Sequence, residues 1–202
     1  MIFNICQIKE IESHIEENSL IAFDLDNTLI TSQSYIGSIL WENKLISNFQ
    51  NEGLSYEEAH EQACILWNQI QNDVKLIPIE KQSPDLIKKW KETSDVIGLT
   101  ARSLTIKDLT HKGLISNNIS FTSFPKHTLE QLHKGVLYCS HRSKSDVLLR
   151  FIDEVLRKKP KKIIFADDKK ENLEDVLNSK LKDHFDVKCF YYSNEIHSGS
   201  KK

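Results

Sequence analysis

No uninterrupted apolar stretch in this chain approaches the roughly 20 residues that a membrane-spanning helix needs. None of the 202 residues belongs to a repeat or a low-complexity tract. The N-terminus has no basic, apolar and small-residue succession of the secretory type. Charge of one sign is also missing: 27 basic against 29 acidic side chains leave a net charge of -2, with no basic excess to favour nucleic acid as a partner. Four cysteines, at 6, 64, 139 and 189, form neither a CxxC pair nor a zinc spacing. They read as reduced core thiols of a protein that folds in a reducing, cytoplasmic type of compartment. Cysteine-dependent tyrosine phosphatases hold phosphate with an Arg six residues after the Cys, and those positions here are Glu12, Ile70, Ser145 and Glu195, which excludes that mechanism.

What is present begins at Phe23-Asp24-Leu25-Asp26-Asn27-Thr28-Leu29. Two carboxylates, two residues apart, follow the apolar run Leu20-Ile21-Ala22-Phe23. Such a run reads as a buried strand of a parallel sheet, whose carboxyl end is where open α/β sheets build ligand sites. On an extended chain, residues i and i+2 face the same way, so Asp24 and Asp26 share a side. Crowded carboxylates are costly unless a metal or a shared proton relieves them. Taken alone, the segment is also compatible with a turn in which Asp caps a helix, the weaker of the two readings. Three further strand ends favour chemistry. Val96-Ile97-Gly98-Leu99 runs into Thr100-Ala101-Arg102, Val136-Leu137-Tyr138 precedes a helical pattern opened by Lys144, and Ile163-Ile164-Phe165-Ala166 ends in Asp167-Asp168 with Asn172 beyond. Each delivers a group suited to phosphate or magnesium.

In that ordered set the chain resembles the haloacid dehalogenase (HAD) superfamily, in particular its phosphatases. Asn27 stands where the first motif usually carries Gly, and Asn tolerates positive φ better than most side chains. More loosely, the chain is similar to phosphatase domains of secreted effectors from intracellular bacteria of the Legionella type, some of them similar to protein tyrosine phosphatases. The resemblance implies Asp24 as nucleophile and Asp26 as proton donor and acceptor. It implies Thr100, Ala101, Arg102 and Lys144 around the phosphoryl group, and Mg²⁺ at Asp24, Asp167, Asp168 and Asp26, the last through its backbone carbonyl. Asp168 either ligates directly or orients a metal-bound water. Lys134 and Arg142 rival Lys144, and Arg102 either touches phosphate or pairs with an acid. The implied partner is a phosphorylated substrate, a phosphotyrosine protein first and a nucleotide or another small phosphate ester second. A binding module that keeps the fold without turnover is the alternative from another class.

Strands alternating with helices predict an α/β, doubly wound parallel sheet with helices on both faces. Residues 1–33 and 75–197 are expected to form this core, and 198–202 an unfolded tail with room for a further domain beyond it. Within 34–74, Ile36, Ile39, Leu40, Ile46 and Phe49, then Ala59, Ala63, Leu66, Trp67 and Ile70, recur at helical spacing on either side of Asn51-Glu52-Gly53. A helical hairpin is expected there, either a cap over the site or a helix pair packed on the core. Its Tyr35, Trp41 and Trp67 are candidates for stacking on a substrate ring. Ser83-Pro84 predicts an N-cap and first helical residue, Ser103 another cap, and 117–135 an irregular or hairpin segment near the site entrance.

Overall fold

A computed structural model describes residues 1–140 and 142–193. The expected unfolded tail at 198–202 lies outside the described residues. The central sheet has seven strands in the order β1, β9, β8, β2, β5, β7, β6. They are β1 (Ile2–Ile5), β2 (Ser19–Phe23), β5 (Asp95–Thr100), β6 (Leu132–His133), β7 (Val136–Tyr138), β8 (Lys162–Asp167) and β9 (Asp186–Tyr192). Every pairing is parallel except the short β6–β7 hairpin. This is the α/β class that the sequence predicts.

Both faces of the sheet are buried, as the near-continuous apolar runs require. Strand alternation sorts the side chains. Ile21 and Phe23 of β2, with Ile164 and Ala166 of β8, pack into one core with Trp90 and Leu114. Leu20 and Ala22, with Ile163 and Phe165, pack into the other with Leu148, Phe151 and Leu173. The first core is covered by a 3₁₀ helix (Ile8–His14) and by α3 (Ser83–Trp90) and α4 (Lys107–Ser116), the second by α5 (Lys144–Glu154) and α6 (Lys170–Asn178). The connection from β2 to β5 thus runs over one face and that into β8 over the other. The chain switches direction at β2, the place where open sheets leave a crevice.

Between β2 and β5, a two-stranded antiparallel stem of β3 (Ile30–Ser32) and β4 (Leu76–Pro78) carries two helices, α1 (Ile39–Asn51) and α2 (Tyr56–Ile70). Ser38 caps α1 by accepting from the Trp41 N–H, and Ser55 with Glu58 closes a reciprocal capping box on α2. Ile46, Ala59 and Ala63 form a small core between the helices. Ile36, Leu40 and Leu66 belong to the predicted apolar pattern but are exposed, because a lone hairpin has no layer on its outer side.

Other local expectations shift. Helix α3 begins one residue before the predicted start: Gln82 is its N-cap, and the Ser83 hydroxyl is buried with no hydrogen-bond partner among the described residues. Ser103 does cap the following turn, accepting from the Thr105 N–H. Strand β1, the stem and the short helix α7 (Leu181–His184) had no sequence signal. Cys139 and Cys189 are buried thiols as expected, whereas Cys6 is exposed and Cys64 half-buried.

The β6–β7 turn depends on Gly135 at φ 79°, where a Cβ would lie 2.5 Å from the Thr122 carbonyl oxygen. Gly53, at φ 99° in the α1–α2 turn, has nothing within 4 Å of the corresponding position. Gly53→Ala should therefore cost about 1–2 kcal/mol, the left-handed penalty alone, and Gly135→Ala more than that. Urea unfolding of the two variants checks the order.

Candidate active site

Asp24 emerges from the end of β2 with its N–H donating to the Ala166 carbonyl of β8 at 2.9 Å, which locks the two strand ends together. Its carboxylate is almost completely buried. Asp167 ends β8 on the neighbouring side and is fully buried. The ammonium of Lys144 lies between them, donating to Asp24 Oδ1 at 2.5 Å and to Asp167 Oδ2 at 2.7 Å. Asp167 accepts further hydrogen bonds from the Lys169 N–H and the Asn172 side-chain amide. Asp24 accepts from nothing but Lys144 among the described residues, which leaves its second oxygen free toward the cleft.

Lys144 is in place because its helix begins there. Ser143 is the N-cap of α5, and Asp175 of α6 accepts from the hydroxyls of Ser143 and Ser145 and from the Ser145 N–H. This carboxylate staples the first turn of α5 to α6 and fixes the root of the lysine. Sequence reasoning missed Asp175, since nothing local distinguishes an acid 30 residues away from the turn it holds. The rival cations are elsewhere: Arg142 is exposed, and Lys134 sits in the β6–β7 turn at φ 50°.

Oxygens of Asp24, Asp167 and Asp168 lie within 4.8 Å of one another. Burial pushes the Asp24 carboxyl well up, Lys144 opposes this, and Asp167, Asp168 and Asp26 add to it. Asp168 is raised to about 6 by burial and then by Asp167, against Lys169 and a hydrogen bond from Asn27. Burial disfavours the Lys144 cation, but Asp167 and Asp24 together outweigh it and hold the ammonium charged. Three convergent carboxylates with one lysine between them retain unrelieved negative charge, and all-oxygen donors suit a hard cation such as Mg²⁺. Asn27 adopts φ 60°, the left-handed turn for which it stands in place of Gly.

Asp26 is not part of that group. Its carboxylate turns to Arg102, which donates from Nε at 2.8 Å and from Nη2 at 2.7 Å. Of the two readings of Arg102, the structure brings about the pairing with an acid. The guanidinium is buried, also donates to Thr110 Oγ1, and lies 4.9 Å from the centre of the Trp67 ring of α2. Trp67 in turn donates to the Gly37 carbonyl. Its ring therefore covers an arginine. Tyr35 is exposed, and neither it nor Trp41 lines the cleft. Thr100 is buried at the end of β5, where its hydroxyl accepts from the Arg102 N–H. That N–H is consequently occupied, and the chain after β5 opens as a 3₁₀ turn (Leu104–Ile106) before α4.

A cleft of about 260 Å³ lies over these groups. Its floor includes Asp24, Asp26, Thr100, Ala101, Arg102 and Asp168, and its roof Glu42, His60, Cys64 and Trp67 from α1 and α2. No residue between 117 and 135 lines it; that segment packs Phe121 and Leu129 into the cores and ends in the β6–β7 hairpin.

Residues 4–200 match the family described as protein of unknown function DUF2608. The chain belongs to that family. It is 33% identical over 165 residues to a Chlamydia pneumoniae protein whose name provisionally calls it an outer membrane protein, covering 78% of this chain and 63% of that one. The chain thus spans less than two thirds of that relative. Among solved structures it is similar to a HAD family enzyme from Bacteroides thetaiotaomicron, with 14% identity, 93% and 100% of the two chains covered and a TM-score of 0.48. It is also similar to the HAD domain of the effector protein Lem4 from Legionella pneumophila in an inactive mutant form, with 13% identity, 93% and 89% covered and a TM-score of 0.47. No helix among the described residues is long and apolar enough to cross a membrane.

A carboxyl whose pKa is raised on folding binds more protons folded than unfolded between about pH 4 and 6, so its share of stability falls as pH rises through that window. In magnesium-free buffer, Asp168→Asn should gain on the parent protein as pH rises from 5 to 7, by a difference on the order of 1–2 kcal/mol. Mg²⁺ should then stabilise the parent more than the variant. Thermal unfolding of both proteins at the two pH values, with and without Mg²⁺, checks the sign.

Proposed function

We propose that the protein hydrolyses phosphomonoesters with Asp24 as nucleophile. The observation that carries this reading is the buried cluster in which Lys144 spans Asp24 and Asp167, beside Asp168 and beneath a cleft that one free Asp24 oxygen faces. A buried carboxylate shifted by desolvation and by a specific charge partner, on the floor of a cleft, is the mark of a functional site. A bound Mg²⁺ would be held by Asp24, Asp167 and Asp168, with the Asp26 carbonyl as the resemblance implies, and would neutralise phosphoryl oxygens and orient the ester for in-line attack.

The chain's own residues divide the remaining work. Lys144 opposes the burial that raises the Asp24 carboxyl and so favours the ionised form that a nucleophile requires. Attack by Asp24 forms an oxygen–phosphorus bond and breaks the ester bond, and the leaving oxygen takes a proton from Asp26. In the second half, Asp26 accepts a proton from the water that hydrolyses the aspartyl-phosphate. Both oxygens of Asp26 are bonded to Arg102, so one of those bonds must be given up for either transfer. An incoming phosphoryl group beside Arg102 is the natural competitor, since guanidinium binds phosphate as well as carboxylate. Thr100 retains a hydroxyl proton to donate to a phosphoryl oxygen.

Asp24→Asn should abolish hydrolysis of an aryl phosphate, reducing kcat by at least about 10³-fold while the far-UV spectrum and Tm stay folded, and a chelator should silence the parent protein. Full activity in the variant, or chelator-insensitive activity, rejects the mechanism. The same Arg102 clamp on Asp26 favours a second reading, a phosphate-binding module without turnover. Phosphate binding with no release from any ester in the presence of Mg²⁺ would establish it.

For the substrate we propose a phosphotyrosine side chain, with a nucleoside monophosphate or another small phosphate ester as the alternative. A roofed cleft of about 260 Å³ accommodates one phosphorylated side chain or a small leaving group. A phosphotyrosine protein target would suit the effector role that the sequence resemblance implies. We expect kcat/KM for phosphotyrosine peptides to exceed that for phosphoserine peptides and nucleotides, and a clear preference for nucleotides would overturn the choice.

A further inference from the structure

The roof of the cleft holds a second group of potential ligands with different chemistry. Glu42 of α1 faces His60 and Cys64 of α2, and one atom from each lies within 4.8 Å of the others. Cys64 Sγ is 3.6 Å from Glu42 Oε1 and 3.8 Å from His60 Nε2, with Nδ1 at 3.9 Å. All three residues are half-buried and line the cleft.

These separations are those of ligands around one tetrahedral ion. Bonds of about 2.3 Å to sulfur and 2.0–2.1 Å to nitrogen or oxygen, at a tetrahedral angle, place the donor atoms about 3.5 Å apart. His60 and Cys64 are one helical turn apart on the same face of α2, so a single ion reaches both without unwinding the helix. The Tyr56 ring stacks on His60 at 6.0 Å and 25° from the side of the preceding helical turn. A carboxylate, a thiolate and a neutral imidazole exactly balance a doubly charged cation, and a Cys–His–Glu donor set selects a borderline-soft metal over Mg²⁺. Three protein ligands leave the fourth position open to the cleft.

We propose that Glu42, His60 and Cys64 bind one Zn²⁺-class ion that ties α1 to α2 in the roof of the cleft. The site is separate from the all-oxygen group on the floor and does not depend on the phosphatase reading. Sequence spacing among the cysteines does not expose it, because only one ligand is a cysteine and another comes from the facing helix.

The test is titration of the metal-free full chain with Co²⁺, whose thiolate complexes absorb strongly in the near ultraviolet and whose all-oxygen complexes do not. One equivalent should give the thiolate band, Zn²⁺ should displace it, and excess Mg²⁺ should leave it. Cys64→Ser should lose the band, whereas Cys6→Ser and Asp167→Asn should keep it. Absence of the band in the parent protein, or its persistence in Cys64→Ser, overturns the proposal. Should Cys64→Ser fail to fold, Glu42→Gln and His60→Gln serve instead. Each should weaken Co²⁺ binding by more than about tenfold, the least that even outer partners of a metal ligand contribute, and unchanged affinity in both overturns the proposal.

Discussion

One ammonium group holds the centre of this structure together. Asp24 and Asp167 leave adjacent parallel strands, and the sheet register forces their carboxylates toward each other in a buried place. Without Lys144 between them, two like charges would be desolvated at close range, which is among the most costly arrangements a protein interior can hold. The remainder of the core serves that contact. Asp175 pins the first turn of α5 so that the lysine arrives from the correct side, and Asn172 with the Lys169 N–H fixes Asp167 so that it cannot turn away. The cluster is still short of positive charge, with Asp168 raised to about 6 beside it. That deficit makes a divalent cation a natural completion of the site.

A second ion pair links chemistry to the helical hairpin. Arg102 holds both oxygens of Asp26 and carries the Trp67 ring of α2 on its face, while Trp67 reaches the Gly37 carbonyl at the base of the hairpin. A desolvated cation–π contact contributes about 2 kcal/mol or more, and a hydrogen bond about 1. Movement of α2 away from the core would break both contacts. It would also change the surroundings of Asp26, because the arginine that fixes Asp26 is the one the hairpin packs on.

The sequence made the frame legible and much of the site as well. Uninterrupted apolar runs marked the strands β2, β5 and β8, and polar residues at their ends marked Asp24, Thr100 and Asp167, since a strand end is a local property. Asn27 at positive φ followed from the resemblance, which places Gly at this turn, together with the tolerance of Asn for that conformation. What stayed hidden is non-local. Asp26 and Arg102 are 76 residues apart, and either could equally have faced a ligand. Trp67 reads as an ordinary core position of an amphipathic helix, and it is buried as that pattern demands, but on an arginine. The stem strands β3 and β4 are three residues each, too short to show a period.

The hairpin marks where pattern reasoning meets its physical limit. Helical periodicity reports which residues prefer burial, and α1 and α2 have enough of them to predict more covered surface than two helices can supply. Ile46, Ala59 and Ala63 satisfy one another, while Ile36, Leu40, Ile65 and Leu66 remain in contact with water. A two-helix unit with so small a core owes little of its position to its own packing. Its place over the cleft must come from the stem beneath it and from contacts across the site, of which Trp67 on Arg102 is the most buried. The roof is consequently the part of the fold whose geometry is most open to whatever the cleft contains.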